Sequence, residues 1–308
     1  MNYVTTNNKR FSLNGQLWFP FGGTLYRYDN NKVLDNAYFD TIVPEIVALG
    51  LNHIRFINFF GAYAPTSETI WASIDYGLDK LATAGIKVNF SFAEYRASLE
   101  GQSINPYTYD WSTFLGFFLN RVNTVNGKTY KNDDTIFLIS LDGEYNSTTY
   151  QWSDILNFIT TYSAYVKTRT SALVDAGQLF TSQDYTTIWN LPNIDIRCIT
   201  SYYNVINSQS LDQEQFFPIF KVQAINKPWY FAEFGSAGDD SSDQKQWSTI
   251  LTSYKNALKN DCAGTCFWNF GNQPQPHTFD ISTNRPYIYN LVKEFAGVSN
   301  YSPRLKVI

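Results

Sequence analysis

Short apolar runs recur along the chain, each followed by a longer segment whose apolar residues fall three or four apart. The runs read as strands buried on both faces, and the longer segments as amphipathic helices that cover them. The opening differs. Residues 11–18 turn at Asn14-Gly15, which predicts a small hairpin, expected as a plug over one barrel end. Residues 18–24 are then the first expected core strand, and a helix over 38–49 follows, stopped by Gly50 and containing Pro44. The alternation continues with a strand at 52–57. A helix at 68–84 places Ile70, Trp71, Ile74, Leu78 and Leu81 on one face. Next come a strand at 86–92, a helix at 110–122 and a strand at 135–144. The helix after it shows Trp152, Ile155, Leu156, Ile159, Tyr162 and Val166 at helical spacing. The fifth strand is the weakest, at about 178–182, and the sixth spans 194–202. A helix at 216–225 leads to a strand at 229–235. The helix carrying Trp247, Ile250, Leu251, Tyr254, Ala257 and Leu258 leads to a strand at 264–270, and a helix at 286–295 follows.

Eight such alternations in 308 residues argue for a parallel (β/α)8 TIM barrel with a short N-terminal β-hairpin. The competing doubly wound sheet would carry a Gly-rich phosphate turn after its first strand, and Phe21-Gly22-Gly23-Thr24 lacks that spacing. No Ser/Gly/Pro-rich linker or charge run divides the chain, so a single domain over 1–308 is expected.

Composition narrows the partners. A net charge of -4 gives no footprint for nucleic acid or an anionic membrane, and no run of 18 apolar residues predicts a spanning helix. Aromatic residues make up 18% of the chain, enough to line a groove as well as a core. The first residues lack the charged and apolar regions of a signal peptide, so either a mature secreted form or a cytosolic protein is expected, as a monomer. Cys198, Cys262 and Cys266 are expected as free buried thiols, because four residues of extended chain hold the latter two too far apart for a disulfide. With only His53 and His277, no His/Cys metal spacing occurs, and neither metal nor other cofactor is expected.

Two strands end on a glutamate. Trp229-Tyr230-Phe231-Ala232-Glu233 is an apolar run closed by a carboxylate and then Gly235, and the run before Leu141-Asp142-Gly143-Glu144 has the same form. A charge in such a place is costly as packing. In a barrel, chemistry sits at the carboxyl ends of the strands, where Arg55, Glu94, Glu144, Asp184, Tyr202, Glu233 and Trp268 are the candidates. Two carboxylates without metal ligands or a Ser/His/Asp set suit glycoside hydrolysis, one as acid and the other on the opposite face of the sugar. Asp142 is the alternative to Glu144 as the working acid. Glu94 is read either as a sugar contact or as a loop ion pair with Arg96. Asn146-Ser147-Thr148 fits a glycosylation sequon, but a glycan there would block the cleft.

The set Arg10-Phe11-Ser12-Leu13-Asn14-Gly15, Asn52-His53-Ile54-Arg55, Ala232-Glu233-Phe234-Gly235 and Phe267-Trp268-Asn269, in this order, resembles clan A glycoside hydrolases, and among them family 5 cellulases and β-mannanases. The resemblance covers nearly the whole chain. It implies a (β/α)8 barrel with Glu144 as acid/base and Glu233 as nucleophile, and Arg55 as the cation that holds the nucleophile ionised. Tyr202, or Tyr203 in a shifted register, corresponds to the tyrosine bonded to that nucleophile, Trp268 to a sugar platform, and Asn269 to a supporting contact beside it. The implied substrate is a β-linked glucan or mannan. Gly143 and Thr200 depart from the pattern, standing where the family usually has Asn and His. The rivals are a non-catalytic sugar-binding barrel, a transglycosylase using the same pair, and a Schiff-base aldolase. The last would need a lysine at a strand's carboxyl end, whereas Lys87 begins its strand and Lys227 precedes one.

Overall fold

The computed structural model describes residues 2–27, 33–60, 64–177, 185–202, 213–223, 226–236, 243–270, 281 and 286–301. Three short strands come first: β1 (Val4–Asn7), β2 (Arg10–Leu13) and β3 (Gln16–Trp18) form an antiparallel sheet in that order. Asn14 and Gly15 join β2 to β3 with φ of 55° and 75°, the left-handed pair that a two-residue hairpin turn demands. β1 is an addition to the predicted hairpin.

The elements that follow are β4 (Phe21–Leu25), α1 (Asn36–Leu49), β5 (His53–Phe56), α2 (Glu68–Thr83), β6 (Lys87–Ser91), α3 (Ala93–Gly101) and α4 (Ser112–Asn120). After them come β7 (Ile136–Ser140), α5 (Trp152–Lys167), β8 (Leu173–Asp175), α6 (Tyr185–Trp189) and β9 (Arg197–Thr200). The last are α7 (Gln213–Gln223), β10 (Trp229–Phe234), α8 (Asp243–Lys259), β11 (Thr265–Phe270) and α9 (Pro286–Tyr301). Strands β4 to β11 make one eight-stranded sheet in the order β8-β7-β6-β5-β4-β11-β10-β9, and neighbouring strands along that order run parallel. The two end strands approach at a seam where Asp195 N donates to Val174 O at 2.8 Å. The result is a nearly closed (β/α)8 barrel.

Local chemistry explains the boundaries. The Asp35 carboxylate caps α1 by accepting Tyr38 N at 2.8 Å, and Gly50, with φ 74°, ends it. Pro44 is accommodated inside this helix. The predicted face of α2 is buried in full, and Phe59, Phe117, Phe118 and Tyr130 pack against Trp71 edge-on at 5.5 to 6.0 Å. Such ring pairs contribute about 0.5–1.5 kcal/mol each beyond area burial.

Two expectations are corrected. The fifth strand is Leu173–Asp175, while the residues expected to form it, 178–182, lie outside the described residues. Its three residues are too few to show periodicity. Residues 93–101, read as loop, form α3, whose buried Tyr95 and Leu99 are one turn apart and whose Arg96 and Glu100 pair across the same spacing.

The antiparallel sheet seals the amino-terminal end of the barrel, as the plug reading expected. Phe11 and Trp18 meet Phe137 edge-on at 6.4 and 5.3 Å, and Phe11 meets Tyr230 at 6.2 Å. Lys87 also lies at this end, donating to Asn2 O and Asp134 O. Cys198, Cys262 and Cys266 are buried free thiols.

Candidate active site

Strand alternation delivers the first charged group. In β5, His53 and Arg55 are two residues apart and therefore project to the same side, into the barrel. His53 is in the lower layer, 2.6 Å from the Tyr230 hydroxyl, and burial pushes its pKa down to about 3, so it is neutral. Arg55 is one layer higher and fully buried. Its Nη1 donates to Glu233 Oε2 at 2.7 Å.

Alternation alone would not put Glu233 there. In β10, Tyr230 faces the barrel interior, and Phe231 packs outward on Phe217 of α7. Phe234 stacks on Phe231 and meets Tyr254 of α8, so it faces outward too. The register against both neighbouring strands shifts between Phe231 and Phe234. This bulge gives the strand two residues between its outward phenylalanines and re-aims Glu233 to the barrel mouth. The second carboxylate oxygen, Oε1, accepts the Tyr202 hydroxyl at 2.5 Å. Burial and the facing carboxylates raise the Tyr202 pKa well above its ordinary value, which keeps it a donor. Tyr203, the other register, lies outside the described residues.

Glu144 is four residues beyond the end of β7, on a loop whose backbone is anchored from both sides. Ser91 Oγ donates to Asp142 O, and Leu141 N donates to Asp175 O. Gly177, with φ 118°, lies so close that a Cβ on it would stand 2.9 Å from Gly143 O, so only glycine fits there. Burial first, and then the charge of Glu233, raise the Glu144 pKa to about 8 against the opposing pull of Arg55, a hydrogen bond from Thr200 and Arg96.

Asp142, two residues earlier, is saturated. It accepts Arg96 Nε at 2.9 Å, the Tyr107 hydroxyl at 2.9 Å and Gly143 N at 2.6 Å, and is fully buried. It positions the loop, which leaves Glu144 as the half-buried carboxyl facing Glu233.

Trp268 is half-buried at the end of β11, its ring 4.9 Å from that of Tyr26 at a tilt of 47°. Asn269 is buried and its main-chain carbonyl accepts Ile281 N. Glu94 accepts Phe60 N at 3.2 Å, tying α3 to the segment after β5, while Arg96 turns to Glu100 and Asp142. Asp184 lies outside the described residues. The sequon residue Asn146 is engaged by Glu100, Thr148 and Thr149. Among the described residues no group of three His, Cys, Asp or Glu side chains is placed to hold a metal ion.

Sequence reasoning missed Asp175, a fully buried carboxyl at the end of β8. It accepts Ser140 Oγ and Gly177 N, each at 2.6 Å, and burial pushes its pKa up to about 6. The run Ala172-Leu173-Val174-Asp175-Ala176-Gly177 has the form of the two glutamate-terminated strands and could have revealed it. The departure at Gly143 also acquires a cause, since a Cβ there would stand 2.8 Å from that of Ala93.

No protein-family model and no curated protein sequence matches this chain. Solved structures do share its fold. The endo-1,4-beta-mannanase of Rhizomucor miehei superposes with a TM-score of 0.73 at 18% identity, over 96% of this chain and 99% of that one. For the hyperthermostable endo-1,4-beta-D-mannanase of Thermotoga petrophila the TM-score is 0.70 at 15% identity, over 91% and 100%. A glycoside hydrolase family 5 mannosidase, also from Rhizomucor miehei, gives 0.68 at 17% identity, over 98% and 99%.

Proposed function

We propose that this chain is a retaining glycoside hydrolase that cleaves β-linked mannan or glucan poly- or oligosaccharides with Glu144 as acid/base and Glu233 as nucleophile. The observation that carries the reading is the inequality of the two carboxyls. Glu233 is clamped by Arg55 and Tyr202, whereas Glu144 holds its proton up to about pH 8. Retaining hydrolysis needs such a division of roles. The mannanases and the mannosidase that share the fold favour a mannose-containing substrate.

In the first step Glu233 attacks the anomeric carbon, while the Glu144 proton passes to the departing oxygen. The tyrosine and arginine hold the nucleophile's two oxygens in place, so little reorganisation accompanies attack. Esterification removes the charge of Glu233, the second largest cause of the raised Glu144 pKa. Glu144 then takes a proton from water, which releases the sugar with its configuration retained. Trp268, with Tyr26 beside it, offers a ring face for a sugar. Lys87, the first residue of β6, and Lys227, just before β10, bind main-chain carbonyls away from the mouth, which disfavours Schiff-base chemistry.

Activated 2-deoxy-2-fluoro mannosides and glucosides, followed by intact mass measurement and peptide mapping, test the assignment. A single label on Glu233 is expected. A label on another carboxylate overturns the role of Glu233. No label, together with no release of reducing ends from a panel of β-glycans, leaves a sugar-binding barrel.

A further inference from the structure

The short segment from Asp142 to Asn146 carries Glu144 at its centre, and side chains from elsewhere in the chain hold both of its ends. Its middle has little stiffness of its own. Gly143 stands directly before Glu144 without the Cβ that restricts other residues, and Ala93 leaves no room for one. One restraint is the Tyr107 hydroxyl. It donates to Asp142 Oδ2 at 2.9 Å and accepts Asn146 N at 3.2 Å, so a single oxygen joins the two residues that bracket Glu144. A hydroxyl has one proton to give and lone pairs to accept with, and both capacities are used here. Burial and the Asp142 charge push the Tyr107 pKa up, which keeps that proton on the oxygen. The tyrosine is itself fixed: it is buried, its ring meets those of Tyr145, Tyr150 and Phe158 at 5.4 to 5.9 Å, and its main-chain N donates to Asn105 Oδ1 at 3.0 Å. A second route joins the same two residues through α3. Arg96 Nε donates to Asp142 Oδ1 at 2.9 Å and its Nη1 to Glu100 Oε2, while Asn146 Nδ2 donates to Glu100 Oε1 at 3.3 Å.

We propose, on the functional reading above, that Tyr107 is a positioning residue for the acid/base, with Glu100 in the same role on the second route. The Tyr107 hydroxyl clasps the segment 142–146 and so fixes where the Glu144 carboxyl meets the departing oxygen. Both of its bonds go to the flanking residues, so it acts through the backbone that carries Glu144. A displacement of about 1 Å at a reacting group costs on the order of 10²-fold in rate. The loss falls on steps that need the proton. A sugar alkoxide leaves only as it is protonated, whereas a dinitrophenolate is stable as an anion and departs without help. Opening the clasp therefore slows the first kind of substrate and spares the second.

The test compares the full chain with its Tyr107→Phe variant, which deletes one oxygen and keeps the ring, by two readouts. The first is hydrogen–deuterium exchange in peptides covering 141–150, where the Asn146 amide is expected to exchange roughly five- to tenfold faster in the variant. The second is kcat/KM on β-1,4-mannotetraose and cellotetraose, set beside the dinitrophenyl glycosides of the same sugars. Cleavage of the tetraose is expected to fall about tenfold, and that of the dinitrophenyl glycoside by less than about twofold. If Tyr107→Phe loses the native circular dichroism spectrum, Glu100→Ala, which cuts the second route, is read in its place with the same split expected. Unchanged exchange in a folded variant, or equal losses on the two kinds of substrate, overturns the positioning role. A parent that cleaves neither kind retires the glycosidase reading instead.

Discussion

The two ends of the barrel interior solve the same packing problem in opposite ways. At the amino-terminal end, rings of Phe11, Trp18, Phe137 and Tyr230 meet edge-on, and His53 stays neutral with its pKa pushed down to about 3. One layer higher, Arg55 and Glu233 form a buried ion pair, with Glu144 facing it. Burial suppresses charge at the closed end. At the open end it raises one carboxyl's pKa while a cation pairs with the other. The difference shows where the barrel keeps polar groups under tension, and hence where chemistry is available.

This contrast can be broken from either end. Glu233→Gln is expected to reduce glycan hydrolysis by about 10⁴-fold or more. Glu144→Gln is expected to lose about 10²–10⁴-fold, and least on substrates with good leaving groups. Steady-state rates on paired aryl and oligosaccharide substrates check both. At the closed end, Phe11→Ala is expected to cost about 3–5 kcal/mol of stability and leave turnover per folded molecule unchanged. Chemical denaturation beside an activity assay would expose the contrast as false if turnover fell instead.

Removing one partner of the ion pair lies between these cases. Arg55→Leu is expected to abolish activity and to destabilise by about 3–5 kcal/mol, because it leaves a buried carboxylate unpaired. The pH dependence is finer. On the proposed mechanism Glu144 acts as acid only while it carries its proton, so kcat/KM is expected to fall as pH rises through about 8. The folded site holds that proton where the unfolded chain has lost it, so stability also falls between the ordinary carboxyl range and about pH 8. Glu144→Gln is expected to remove that loss and raise the Tm by a few degrees at pH 8, as a thermal melt would read. Smallest of all, Gly143→Asn is expected to cost about 1–3 kcal/mol by overpacking against Ala93, partly recovered by Ala93→Gly.

Much of the candidate site was legible because carboxylates that close apolar strands are rare as packing, and Glu233 and Glu144 both stand out on that ground. Choosing between Asp142 and Glu144 was a different matter. Both follow the same strand, and only the contacts of Arg96, Tyr107 and Gly143 N show that Asp142 is saturated. Asp175 went unseen because its strand is three residues long. The α3 helix was hidden by its start directly after a strand with no side-chain cap, although Tyr95 and Leu99 are at helical spacing.

What the sequence determined by itself was periodicity: which of the longer apolar runs are strands, which faces of the helices are apolar, where Asn14-Gly15 must turn, and that His53 and Arg55 share a side. These follow from backbone geometry, which repeats every two or 3.6 residues whatever surrounds it. Tertiary structure decided what breaks the period. The bulge that turns Glu233 into the mouth exists only in register with β9 and β11. The proton on Glu144 depends on burial and on a carboxylate far away in the chain. Desolvation and charge act through space, and proximity in space is what folding supplies.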